Sequence, residues 1–190
     1  MKNVRKFIHL FNLALSLLII ILSFVKKDLP LTIIFGNLAF FYLYITLLAS
    51  PLIAVEPNLP FKGTYLFARR ALGVSSFYFA LLHAYFAFFK NLYLIDAFNF
   101  LLTSPFLLIG FLALLILAVL TATSFDKIVR KLGKNCKRLH RLVYLAGVLV
   151  LFHATNMNMR LAEGKSIKSI IFLTAVYFLL ALQSLRLVKY

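Results

Sequence analysis

Two of the four histidines in this sequence lie deep inside apolar runs: His83 in ALGVSSFYFALLHAYFAFF and His153 in LVYLAGVLVLFHATNM. An ionisable side chain is costly to place in hydrocarbon, so one found there marks a functional site by default. Neutral imidazole is a ligand for haem iron and for other metals. Two imidazoles meeting at one depth in a membrane point to haem held between them. Paired ligands leave no open iron position, which suits electron passage rather than oxygen binding. The bland alternative is that each ring hydrogen-bonds across to a neighbouring helix and only packs.

The elements that must position these rings are membrane helices. The chain has 190 residues, 63% of them hydrophobic and 14% charged, with a mean hydropathy of +0.97. A soluble domain carries about 25% charged residues, so little of this length is left for one. A nucleotide-binding module is therefore expected on another chain. Six apolar runs come close to the roughly 20 residues that span a bilayer as a helix. They are Phe7–Val25, Leu31–Val55, Arg70–Phe89, Pro105–Thr123, Leu139–Met159 and Ile167–Leu187. They are long, Leu-rich and non-alternating, which excludes barrel strands. The expected fold is an all-α integral membrane protein, a six-transmembrane-helix bundle forming a single domain over residues 1–190. The first run follows Lys2, Arg5 and Lys6 but is longer than a signal-peptide core and has no A-x-A site, so it reads as a retained span. The five prolines fall at or near span ends. No internal repeat is visible.

The net charge of +16 does not indicate nucleic acid, because its carriers cluster at the ends of apolar runs. With six spans both termini share one face, and 15 of the 21 Lys and Arg residues fall on it. That bias places the termini in the cytoplasm. His83 then lies 13 residues beyond Arg70 on the third span, and His153 lies 13 residues beyond His140 on the fifth. At 1.5 Å per residue both rings are roughly 20 Å from the inner boundary, in the outer half of the membrane.

Other residues carry weaker signals. His140, between Arg138 and Arg141 at the inner end of the fifth span, is a second-tier candidate ligand. On a continuous helix it would point about 140° away from His153. His9 lies near the same inner level on the first span. Met157 and Met159 can ligate iron, although a methionine near a span end more often packs. The basic stretch Lys127–Arg141 suits an acidic electron donor, an FMN phosphate, or simply lipid headgroups. Cys136 is the single cysteine, which excludes an internal disulfide, a Cys-ligated cluster and a C-x-x-C-H haem attachment.

Three segments carry a family resemblance: RRALGVSSFYFALLH (Arg69–His83), TATSFDKIVRKLGKNCKRLHRLVYLAGVLVLFH (Thr121–His153) and KFIHL (Lys6–Leu10). Together they resemble the MsrQ (YedZ) family, within the wider ferric-reductase-like transmembrane superfamily. The resemblance implies a b-type cytochrome of the bacterial inner membrane carrying one or two b haems. It would be fed by quinol or a cytoplasmic flavin reductase, with FMN a further cofactor. It would serve a periplasmic molybdenum enzyme, MsrP, that reduces methionine sulfoxide in proteins. It also implies that His83, His140 and His153 are haem ligands, with His9 matching a family position. In the superfamily two histidines on the third span and two on the fifth hold two stacked haems. Here Arg69 and Arg70 occupy the inner position on the third span. An inner haem would then use His140 with His9, or His140 alone. The arginines would pair instead with haem propionates or a flavin phosphate, oxyanions that guanidinium grips with two parallel bonds.

Two other function classes compete with this redox subunit. A self-sufficient ferric reductase needs a nucleotide-binding signature, and this sequence contains no G-x-G-x-x-G. A haem-free transporter needs acids in mid-span, but Asp28, Glu56, Asp96, Asp126 and Glu163 all lie near span ends. A haem-free scaffold remains. A partner enzyme would dock on the outer connections around Lys90–Ser104 and Arg160–Lys168.

Overall fold

A computed structural model describes residues 2–89, 99, 101–162 and 167–188. Among the described residues the protein is helical throughout. In chain order the helices are α1 (Lys2–Val25), α2 (Leu31–Val55), α3 (Lys62–Phe89), α4 (Pro105–Ala122), α5 (Asp126–Leu132), α6 (Lys134–Leu139), α7 (Leu142–Ala162) and α8 (Ile167–Val188). Four are long and apolar enough to cross a membrane: Asn3–Val25, Leu31–Val55, Lys62–Phe88 and Pro105–Ala122. Hydrocarbon supplies no hydrogen bonds, so each such segment must satisfy its own backbone, and a helix does so.

The core is a bundle of four helices. α2 pairs with α3 and α4 pairs with α7, and the two pairs meet where α3 touches α4 and α2 touches α7. Leu43 and Leu47 of α2, Leu117 and Leu120 of α4, Val143 and Ala146 of α7 and Leu179 of α8 form one buried cluster. A second cluster joins α2 to α3 through Phe35, Tyr42 and Phe79, whose rings stack with centroids 6.2 Å apart for Phe35–Phe79 and 5.4 Å for Tyr42–Phe79. α8 lies against α2, and α1 lies mainly against α3.

α1 shows how a peripheral helix is fixed when lipid offers no contrast in hydrophobicity. Phe7, Leu10, Leu17, Leu18, Ile21 and Phe24 remain exposed and face what would be acyl chains. Asn12 and Ser16, one turn apart, are buried and polar. The Tyr42 hydroxyl donates to Asn12 Oδ1, and Asn12 Nδ2 donates to Ser75 Oγ at 2.6 Å. Ser16 donates to the Leu13 carbonyl at 2.9 Å and bonds the Tyr78 hydroxyl at 2.6 Å. Interhelical hydrogen bonds of this kind hold membrane helices together where burial of apolar surface does not.

Three helices begin away from their expected runs: α1 at Lys2, five residues before Phe7, α3 and α7. The third span was expected to begin at Arg70; α3 begins at Lys62, two turns earlier. The charge pair had been read as the edge of hydrocarbon, but long guanidinium stems can stay helical while their heads reach polar surroundings. Tyr65 anchors this extra length, its hydroxyl donating to the Ile45 carbonyl at 2.6 Å. The fifth span was expected from Leu139; α7 begins at Leu142, and the connection before it folds into α5 and α6. Gly133 separates those two short helices at φ +51°, a backbone conformation that costs a side-chain-bearing residue dearly. α5 is tied back to the bundle by an ion pair between Arg70 and Asp126.

Removing one member of the α1 network strands its partners. Asn12→Ala is expected to cost about 1–2 kcal/mol, seen as a lower unfolding midpoint in detergent; an unchanged midpoint would show that α1 is held by other contacts. The ion pair gives an acid-sensitive element. Hydrogen bonding and charge from Arg70 hold the Asp126 carboxyl below its ordinary pKa of 3.8. Its contribution is therefore complete above that value and is lost as the pH falls through the depressed one. Amide protection in Asp126–Leu132 is expected to drop on acidification below about pH 4, and to be low already at neutral pH in Asp126→Asn. Equal protection in both proteins would refute the tie.

Candidate functional site

His83 projects from α3 and His153 from α7, and the bundle brings their rings together. The ring centroids are 6.1 Å apart and the ring planes cross at 78°. Each ring is fixed from behind by a different helix. His83 Nδ1 is 2.8 Å from the Thr32 carbonyl oxygen in the first turn of α2. His153 Nδ1 is 2.8 Å from the Phe106 carbonyl oxygen in the first turn of α4. A carbonyl only accepts, so the proton in both bonds belongs to Nδ1. A neutral imidazole carries one N–H, which leaves the lone pair of each ring on Nε2. A carbonyl behind the ring of this kind fixes tautomer and orientation in metal-ligating histidines and raises their basicity.

A haem fits this donor set by distance. Metal–imidazole bonds are about 2 Å long and the ring centre lies about 1 Å beyond the nitrogen, so two axial imidazoles have centres about 6 Å apart. The 6.1 Å between the two ring centres agrees. Neither partner carbonyl was visible in the sequence, because the contact is made by backbone and places no demand on the Thr32 or Phe106 side chain.

The end of the bundle that carries α5 and α6 holds a cavity of about 1090 Å³. Leu43, Leu117, Leu120 and Val143 give it an apolar wall, Arg69, Arg70, Lys137 and Arg141 line it with positive charge, and His140 lies among its lining residues. His140 sits at the junction of α6 and α7 rather than on α7. The angular argument that set it on another face from His153 assumed one continuous helix and does not apply. Burial pushes its imidazole below the ordinary pKa, opposed by a hydrogen bond to the Thr123 backbone and assisted by the Arg70 and Arg69 guanidiniums. The ring is thus kept neutral, the form in which imidazole ligates metals.

His9 lines a different and smaller cavity of about 190 Å³, with Arg5, Arg70 and Asp126. Arg70, Thr121 and Ser124 line both cavities, so the two adjoin. Arg5 lies over the Phe67 ring at 4.1 Å. The pairing of Arg70 with Asp126 was not anticipated: the acid had been read only as a residue near a span end. Among the described residues no group of three or more His, Cys, Asp or Glu is arranged to hold a metal ion by itself. Lys90–Phe98, Phe100 and Glu163–Ser166 lie outside the described residues, as do the side chains of Met157 and Met159. Those segments include most of the expected outer docking surface.

A family model for the ferric reductase-like transmembrane component matches residues 35–151. The match runs from the first turns of α2 to within two residues of His153, and leaves out α1 and α8. Proteins named "Protein-methionine-sulfoxide reductase heme-binding subunit MsrQ" from Brucella ovis and Brucella canis are each 36% identical over 113 residues, which is 58% of this chain and 49% of theirs. The chain thus spans about half the length of the curated relatives it matches. Because the family match covers more than half of the residues and takes in most of the four-helix core, the chain belongs to the ferric reductase-like transmembrane family.

Proposed function

We propose that this protein is a membrane b-type cytochrome of the MsrQ kind. In this reading it is a redox subunit that carries electrons across the bacterial inner membrane to a periplasmic, molybdenum-containing methionine sulfoxide reductase. The observation that carries the reading is the facing pair of imidazoles, 6.1 Å apart, with both Nδ1 atoms tied to helix carbonyls. The relatives' name, a haem-binding subunit, supports the same cofactor.

His83 and His153 would hold a b haem through Nε2, from α3 and α7. The haem would supply one-electron transfer at that depth. The carbonyls of Thr32 and Phe106 set ligand basicity, and the apolar helices around the pair exclude water, two of the levers by which a protein sets a haem potential. His140, Arg69 and Arg70 would serve a second group in the inner cavity, the guanidiniums meeting propionate or phosphate oxygens and the neutral imidazole meeting iron. His140 lines that larger cavity, which supports it as the inner ligand, and His9 lines the adjoining one. α7 and α8 complete six spans, with both termini in the cytoplasm. α5 and α6, rich in Lys and Arg, lie at the inner face where a flavin reductase or quinol would deliver electrons.

An absorption spectrum of the purified protein, oxidised and then reduced with dithionite, tests the reading first. A sharp b-type α-band is expected, and the lack of any Soret band would leave only a haem-free scaffold. His83→Ala and His153→Ala are each expected to abolish the low-spin haem they share while the protein still inserts. Full haem content in either variant would refute the pair. His140→Ala is expected to lower haem content only in part. In a reconstituted membrane, electrons are expected to reach the methionine sulfoxide reductase and not a soluble ferric chelate; the opposite result would make the protein a ferric reductase.

A further inference from the structure

The two histidine cradles share one construction. His83 reaches the carbonyl of residue 32 on α2, and the residue four further along is Gly36. His153 reaches the carbonyl of residue 106 on α4, and the residue four further along is Gly110. In an α-helix the Cα–Cβ bond leans toward the N-terminus, so the side chain at i+4 shields the carbonyl at i from the flank. A Cβ built at Gly36 would stand 2.9 Å from His83 Nδ1 and 3.2 Å from Cε1. A Cβ built at Gly110 would stand 2.7 Å from His153 Nδ1 and 2.8 Å from Cε1. Real Cβ atoms essentially never come this close to other heavy atoms. The atoms met belong to the rigid ring, so relief requires the whole imidazole to swing away from its carbonyl.

We infer that Gly36 and Gly110 are positioning residues for the histidine pair. Each leaves open the approach by which Nδ1–H reaches a carbonyl that already accepts a helical bond, and so each dictates that the lone pair sits on Nε2. The inference deepens the haem reading and rests on it for its consequence, but the tautomer it requires is a property of the protein alone. The cost of a glycine in mid-helix is accepted at both places. Gly63 in the first turn of α3, by contrast, has nothing within 4 Å of a built Cβ.

The arrangement also reveals a repeat that the sequence conceals. Helix, carbonyl, glycine four residues on and histidine from the partner helix occur once in α2–α3 and once in α4–α7. The two copies have no side chain in common at the accepting position, Thr32 in one and Phe106 in the other, because what repeats there is backbone.

The test uses the full chain in detergent with four versions: wild type, Gly36→Ala, Gly110→Ala and Gly63→Ala. Imidazole nitrogen shifts from histidine-labelled protein without haem give the tautomers directly. His83 and His153 are expected to be Nδ1–H in wild type and in Gly63→Ala, and one ring is expected to lose that state in each of the other variants. Haem-loaded samples are expected to show a higher midpoint potential and a smaller low-spin fraction in Gly36→Ala and Gly110→Ala only, because a ring that loses its carbonyl becomes a weaker donor. Nε2–H tautomers in the wild type would overturn the inference even if both variants failed to fold. So would wild-type tautomers and potential in both alanine variants. A wild type that takes up no haem would instead sink the haem reading, and the tautomers would still decide the role of the glycines.

Discussion

A polar group in hydrocarbon must find its partner inside the protein, and the site in this bundle follows from that constraint. An imidazole has one proton and one lone pair. Once a helix carbonyl accepts the Nδ1 proton from behind, the lone pair of a neutral ring is left on Nε2. His83 and His153 are both in this condition. The same bond that satisfies each ring therefore also fixes its orientation.

The rest of the bundle serves the distance between those rings. The histidine-bearing helices α3 and α7 belong to different pairs. Each is backed by the helix that supplies its carbonyl, and the aromatic seam of Phe35, Tyr42 and Phe79 locks α2 to α3 close to the first cradle. α1 contributes from outside. Its Asn12 and Ser16 complete a chain of hydroxyls and amide across α2 and α3, so a helix beyond the family match helps fix the helix that carries His83. Stability and function share elements here, because the packing that holds the helices also sets the gap.

The cationic end of the bundle follows different physics. Arg70 stands between two cavities and pairs with Asp126, an exposed acid on α5. One guanidinium thus joins the α5–α6 connection to the bundle while its neighbour Arg69 lines the larger cavity. Exposed pairs of this kind contribute little to stability. Their value lies in orienting α5 and α6 and in keeping a cluster of positive charge from repelling itself.

The helical membrane class was legible in the sequence because a bilayer imposes a length and a hydropathy that any spanning helix must meet. The run Leu31–Val55 appears in the structure with the same ends, and the equal depth of His83 and His153 could be counted from residue spacing. The helices that carry the third and fifth apolar runs begin elsewhere, at Lys62 and Leu142, because charge marks where a side chain's head sits and not where its helix ends. Only the tertiary structure brought the two imidazoles to 6.1 Å and chose the carbonyls of Thr32 and Phe106. Those outcomes depend on helix rotation and on backbone atoms, which are identical in every residue and leave no trace in side-chain pattern. Where a trace does exist, as glycine four residues past each carbonyl, it becomes readable only when the ring that fills the space is seen.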